Sequence, residues 1–134
     1  MKSSVLIVAT FVLTLGAAGC ANRTALVGTP MVPAAVGDVK LSNDGNNNTK
    51  VKLEVKHLAP ASSLSPPRSA YVVWTRTGNG NPEKQGVLEI GDNREGKIEF
   101  ITPAQDFEVV VTAEDSPDVR YPSSTIALQS DVNR

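Results

Sequence analysis

From Val39 onward, apolar side chains recur at every second residue, and this alternation restricts most of the chain to half-buried β-strands. Val39 and Leu41 alternate with Lys40 and Ser42. After Asn43-Asp-Gly-Asn-Asn-Asn48 the pattern resumes as Val51, Leu53 and Val55 against Lys50, Lys52, Glu54 and Lys56. Asn, Asp and Gly accept positive φ at little cost, so the two runs predict a hairpin. Its outward lysines are expected to discourage edge-to-edge pairing. The three prolines between Ala59 and Ser69 make that segment too long and stiff for a tight turn, and predict a crossing from one sheet to another. Tyr71-Val-Val-Trp74 is apolar on both faces, as a central strand is. Turn residues at 78–82 and 91–96 delimit strands near 85–90 and 97–101. The run Asp106 to Ala113 aligns Phe107, Val109, Val111 and Ala113 on one face, and a Pro-rich excursion over 115–122 precedes a last short strand, Ser124 to Leu128. About seven strands and no convincing helical period predict an all-β fold: a single immunoglobulin-like antiparallel β-sandwich over residues 35–130, with a small closed barrel as the alternative.

The start of the chain has a different character. Met1-Lys-Ser-Ser4 carries one positive charge, Val5 to Leu15 is apolar, and Gly16-Ala-Ala-Gly19 supplies small residues before Cys20. This three-part layout predicts a secretory signal peptide over residues 1–19. Small residues followed at once by cysteine resemble a bacterial lipobox, although leucine is the commoner residue at Ala17. The resemblance implies cleavage between Gly19 and Cys20 and acylation of Cys20. An ordinary signal peptide cut near Ala18 or Gly19 is the alternative. Two or three acyl chains anchor stably, because each buried methylene contributes about 0.8 kcal/mol. Ala21 in place of aspartate lacks the usual inner-membrane retention signal and favours the outer membrane. Residues 20–34, with Gly28, Pro30 and Pro33 and no clear period, read as the lipidated N-terminus and a flexible tether, reaching at most about 45 Å.

Tyr71-x-x-Trp74, Gly86-Val-Leu88 and Phe107-x-Val109-x-Val111-Thr112-x-Glu114-Asp115-Ser116-x5-Pro122 resemble the C-terminal extracytoplasmic domain of anti-sigma-K factors, over about residues 71–128. That resemblance implies a β-sandwich carried on a lipid anchor. The sigma-binding helical domain and transmembrane helix of that family have no counterpart in the pattern here, so no sigma-binding role carries over to any residue.

Composition narrows the chemistry. A formal net charge of −1, with no cluster of Lys and Arg, argues against nucleic acid as a partner. A single cysteine allows no internal disulfide. His57, the only histidine, continues the inward series Val51, Leu53, Val55 and is expected as a half-buried structural residue. No second histidine or free thiol joins it, so neither a transition-metal site nor a hydrolytic triad is expected, and no cofactor or catalytic residue is assigned. Glu114, Asp115 and Asp118 in one loop, and Asp44 with Asn46 and Asn48 in the first turn, offer oxygen ligands without the pattern of a Ca²⁺ loop. Trp74 is expected to fill the core. Tyr121, with Asp115 and Asp118, is the candidate binding surface. These readings converge on a non-enzymatic envelope lipoprotein held to a membrane by its N-terminal lipid and binding an envelope protein or glycan. An accessory or sensory role in an extracytoplasmic signalling system is the alternative.

Overall fold

The computed structural model describes residues 22–130, so the predicted signal peptide, Gly19 and Cys20 lie outside the described residues. Eight strands follow in order: β1 Arg23–Gly28, β2 Val36–Asn43, β3 Thr49–Lys56, β4 Ala70–Arg76, β5 Glu83–Leu88, β6 Gly96–Thr102, β7 Glu108–Glu114 and β8 Ile126–Ser130. All pair antiparallel in one continuous sheet of order β5-β4-β7-β8-β1-β2-β3-β6. The two terminal strands approach each other closely enough that a Cβ at Gly86 of β5 would lie 2.7 Å from Ile98 Cδ1 of β6. The sheet is therefore rolled into a nearly closed barrel, with Val51, Leu53, Val55, Tyr71, Val73, Val109, Val111 and Leu128 in the buried core.

The predicted hairpin forms between β2 and β3, in register from Val36↔Lys56 to Asn43↔Thr49. Gly45 and Asn47 take positive φ in its turn, at 87° and 62°. Its lysines protect no edge, because β3 lies between β2 and β6. Lys50 instead reaches diagonally to Glu99 across that boundary at 2.8 Å. The Pro-rich segment 57–69 carries the chain from β3 to β4, which stand far apart in the order of one continuous sheet, so the expected crossing is made within a sheet and not from one sheet to another.

The expected tether is corrected by the structure. Residues 23–28 form β1, hydrogen-bonded between β8 and β2 in the middle of the sheet order. Leu26 and Ala35 are each 1% exposed, and both belong to the core with Val32. The turn between β1 and β2 is closed by backbone bonds from Gly28 N to Ala35 O (3.0 Å) and from Val32 N to Thr29 O (2.9 Å). The sequence signal was weak because β1 buries a single large side chain, Leu26, and one inward residue makes no period.

His57 is the second correction. It is exposed rather than half-buried, with φ of 58°, and this left-handed residue breaks the alternation so that Leu58 turns inward at 0% exposure. Trp74 is buried as expected, at 1% exposure, and it lies on the face of β4 opposite Tyr71 and Val73. Strand β4 is buried on both faces, so its apolar run carried no parity by which to place the indole.

Tyr71 buries its ring and donates its hydroxyl to Ala59 O at 2.7 Å, which fixes the crossing segment against β4. Burial pushes its phenol up to about 12. Because the folded value lies above the unfolded one, the neutral phenol's stabilisation is complete below pH 10 and is lost as pH rises towards 12. Tyr71→Phe should remove this alkaline slope and cost about 0.5–1.5 kcal/mol at neutral pH, as read by urea unfolding at pH 7 and pH 11.

Candidate functional site

The loop between β7 and β8 spans residues 115–125 and holds all three residues proposed for binding. Its base is built from strand parity. Val109, Val111 and Ala113 face the core, so Thr112 and Glu114 face outward, on the same side as Trp74 of the neighbouring β4. There Trp74 Nε1 donates to Thr112 Oγ1 at 2.8 Å, and the Thr112 hydroxyl donates to Glu114 Oε1 at 2.6 Å. Ser123 N–H donates to the same Glu114 oxygen at 2.8 Å, which ties the far limb of the loop to the sheet. Glu114 is only 3% exposed, and the two donors aimed at its Oε1 offset the cost of burying this polar group.

Two further clamps act on the near limb. Arg68 Nη1 bonds Asp115 Oδ1 at 3.2 Å, and the Lys84 ammonium donates to Pro117 O. Between these anchor points the loop displays Tyr121 at 77% exposure, and Asp115 and Asp118 are also exposed. Of the predicted trio, Tyr121 and Asp118 are solvent-facing residues, and Asp115 also carries the ion pair to Arg68. Glu114 does not join them as an oxygen cluster, since it turns into the network beneath. Sequence reasoning missed Glu114 as the anchor, and Arg68 and Lys84 as clamps. The parity of Glu114 with Thr112, opposite to Val111 and Ala113, was the available signal.

A shallow groove of about 180 Å³ runs beside this base, floored by Trp74, Val110 and Ile126 and flanked by Pro82 and Pro122. A second cleft, of about 390 Å³, opens at the opposite end of the barrel between Leu26, Leu41 and Phe107, with Arg76, Asp106 and Glu108 at its rim. Arg76 Nη2 bonds Glu108 Oε2 at 2.6 Å, so that cation and anion are committed to each other. In the first turn, Asp44 accepts from Asn46 N at 2.7 Å and from Asn48 N at 3.2 Å. The Asn46 bond is the main cause that lowers its carboxyl below the usual value. Its oxygens are thus spent on holding the hairpin turn.

Among the described residues, no three His, Cys, Asp or Glu side chains converge as a metal centre. The geometry at 115–125 can present an exposed aromatic and two carboxylates to a macromolecular or glycan surface, and among the described residues it assembles no nucleophile with a base. No protein-family model, curated protein or solved structure matches the chain.

Proposed function

We propose that this chain is a non-enzymatic envelope lipoprotein, acylated at Cys20 after cleavage behind Gly19, whose β-domain binds an envelope protein or glycan through the 115–125 loop. The observation that carries the binding role is that this loop is pinned at Glu114, Asp115, Pro117 and Ser123 while Tyr121 remains 77% exposed. A tyrosine offers a large amphipathic contact area, and a pinned loop loses little entropy on binding. The outer membrane is the proposed location, from the sequence after Cys20.

The domain is read as an immunoglobulin-like sandwich. In support, the orders β5-β4-β7-β8 and β2-β3-β6 have the pairings of the two sheets in a seven-stranded Greek-key module, and β1 joins them along one side. The residues that resemble the anti-sigma-K domain have mainly structural tasks: Trp74, Thr112 and Glu114 form the buried network, and Tyr71, Leu88 and Val111 fill the core. Kinship with that domain is accordingly proposed at the level of fold, without a signalling role.

A photo-crosslinking residue at position 121 in intact cells should trap one dominant neighbour. With the photo-crosslinking residue moved to the exposed position 120, Tyr121→Ala should reduce capture of that neighbour at least about tenfold, the scale of a contact hot spot, with an unchanged melting temperature. Cys20→Ala should release the protein from membranes and abolish lipid labelling. Loss of lipid labelling without loss of capture would separate the anchor from the binding surface. Capture indifferent to residue 121 would refute the loop as the site.

A further inference from the structure

We infer that the end of the barrel bearing Asn22 rests against the membrane surface, and that the opposite end, with the 115–125 loop, is held away from it. The inference depends on the acylation of Cys20 proposed above, and it deepens that reading by assigning the domain an orientation. Asn22 is already part of the sheet, since its carbonyl accepts from Leu41 N at 3.1 Å, and Arg23 pairs with Lys40. Consecutive Cα atoms are about 3.8 Å apart, so whatever its conformation the chain from Cys20 to Asn22 spans at most about 8 Å. An eight-residue strand such as β2 is about 26 Å long. The allowed separation is therefore a fraction of the domain's length, and a freely swinging module becomes a seated one.

The pairings identify what is seated. Asn22 lies beside the turn between β2 and β3, and the loop between β6 and β7 is tied to that turn by Gln105 Nε2 donating to Asn47 O at 3.1 Å. The C-terminal end of β4 and the start of β7 meet there through Arg76 and Glu108, so the 390 Å³ cleft opens at the same end. Strand direction places the turn at 29–35, the crossing segment 57–69 and the loop 115–125 at the other end. The described residues of the seated end carry charges of both signs: Arg23, Lys40 and Lys52 stand in cross-strand register beside Asn22, Lys40 lies 3.8 Å from Asp38 and Lys52 opposite Glu99, Arg76 is paired with Glu108 and Lys50 with Glu99, and Asp44 and Asp106 stand nearby. Its partner is the phospholipid headgroup layer as a surface, approached because the connection is short and without need of anionic lipid.

The test uses the full lipidated protein in phosphatidylcholine vesicles containing a headgroup-attached fluorescence quencher. With the Cys20 thiol occupied by lipid, Asn46→Cys at the seated end and Asp118→Cys at the far end each provide one thiol for a fluorophore. Quenching at position 46 should exceed that at position 118 several-fold, equally with and without phosphatidylglycerol and at low and high salt. Inserting about fifteen Gly and Ser residues between Ala21 and Asn22 should bring the two values together. Equal quenching in the uninserted protein, with lipid still detected on Cys20 by mass spectrometry, would overturn the orientation and leave the anchor intact. A difference that appears only with anionic lipid would also overturn it, because attraction would then replace connection length as the cause. Absence of lipid on Cys20 would overturn the anchor reading, and the orientation with it.

Discussion

Leu26→Ala is expected to lower the unfolding free energy by about 2–5 kcal/mol, the range for removing most of a fully buried aliphatic side chain. Leu26 is 1% exposed and packs within the single core, so its truncation leaves a cavity that the flanking strands β8 and β2 cannot both close. Gly28→Ala should be comparably severe. An added Cβ would sit 2.1 Å from Val32 O and 2.9 Å from Ala35 O, both main-chain atoms held by the turn's own hydrogen bonds. Ala25→Ser, on the exposed face of the same strand, should stay within about 0.5 kcal/mol. Urea unfolding followed by Trp74 emission measures all three. If Leu26→Ala and Gly28→Ala were as silent as Ala25→Ser, residues 23–28 would be the tether that their sequence suggests.

The second large effect concerns the outer-face network. Trp74→Ala should cost about 3–5 kcal/mol, through lost burial and the Thr112 hydroxyl left without its indole donor. Glu114→Ala should cost about 1–3 kcal/mol for each donor it strands, the Ser123 N–H and the Thr112 hydroxyl. Glu114→Gln keeps a carbonyl oxygen for both donors and should cost far less. Trp74 is the only tryptophan, so its emission should shift to the red in Glu114→Ala and remain in place in Glu114→Gln. The same pair separates stability from binding. If the loop is presented by its Glu114 anchor, Glu114→Ala should weaken capture at position 121 below the melting temperature, and Glu114→Gln should preserve it. Equal capture by both variants would show that Arg68 and Lys84 suffice to hold the loop.

Legibility differed from element to element for identifiable reasons. The hairpin of β2 and β3 was readable because each strand has one face in the core and one in solvent, which writes the period directly into Val51, Leu53 and Val55, and because Gly45 and Asn47 mark the turn by the φ values they take. Strand β6 was readable on the same ground, and β7 through the alternation of Val109, Val111 and Ala113, although its outward Thr112 and Glu114 are buried as well. Strand β1 was not, since its inward face holds one large residue and its pairing partners are drawn from distant parts of the chain. The burial of Trp74 was readable, whereas the face its indole takes was not, because β4 is apolar on both sides. Tyr121 could be singled out from its Pro-flanked loop, whereas Glu114 looked like another surface carboxylate beside Asp115 and Asp118.

What the sequence determined by itself is local: antiparallel β-structure, the positions of the turns, the stiff crossing between β3 and β4, and a lone cysteine behind small residues. Each follows from residues that are neighbours in the chain, through alternation, φ preference or ring constraint. The tertiary structure decided how the strands are ordered in one nearly closed sheet, that residues 23–28 complete its middle, and that Thr112, Glu114 and Ser123 join Trp74 beneath a pinned loop. These depend on contacts between residues far apart in sequence, where the energy lies in burial and hydrogen-bond satisfaction across strands and leaves no periodic trace along any one of them.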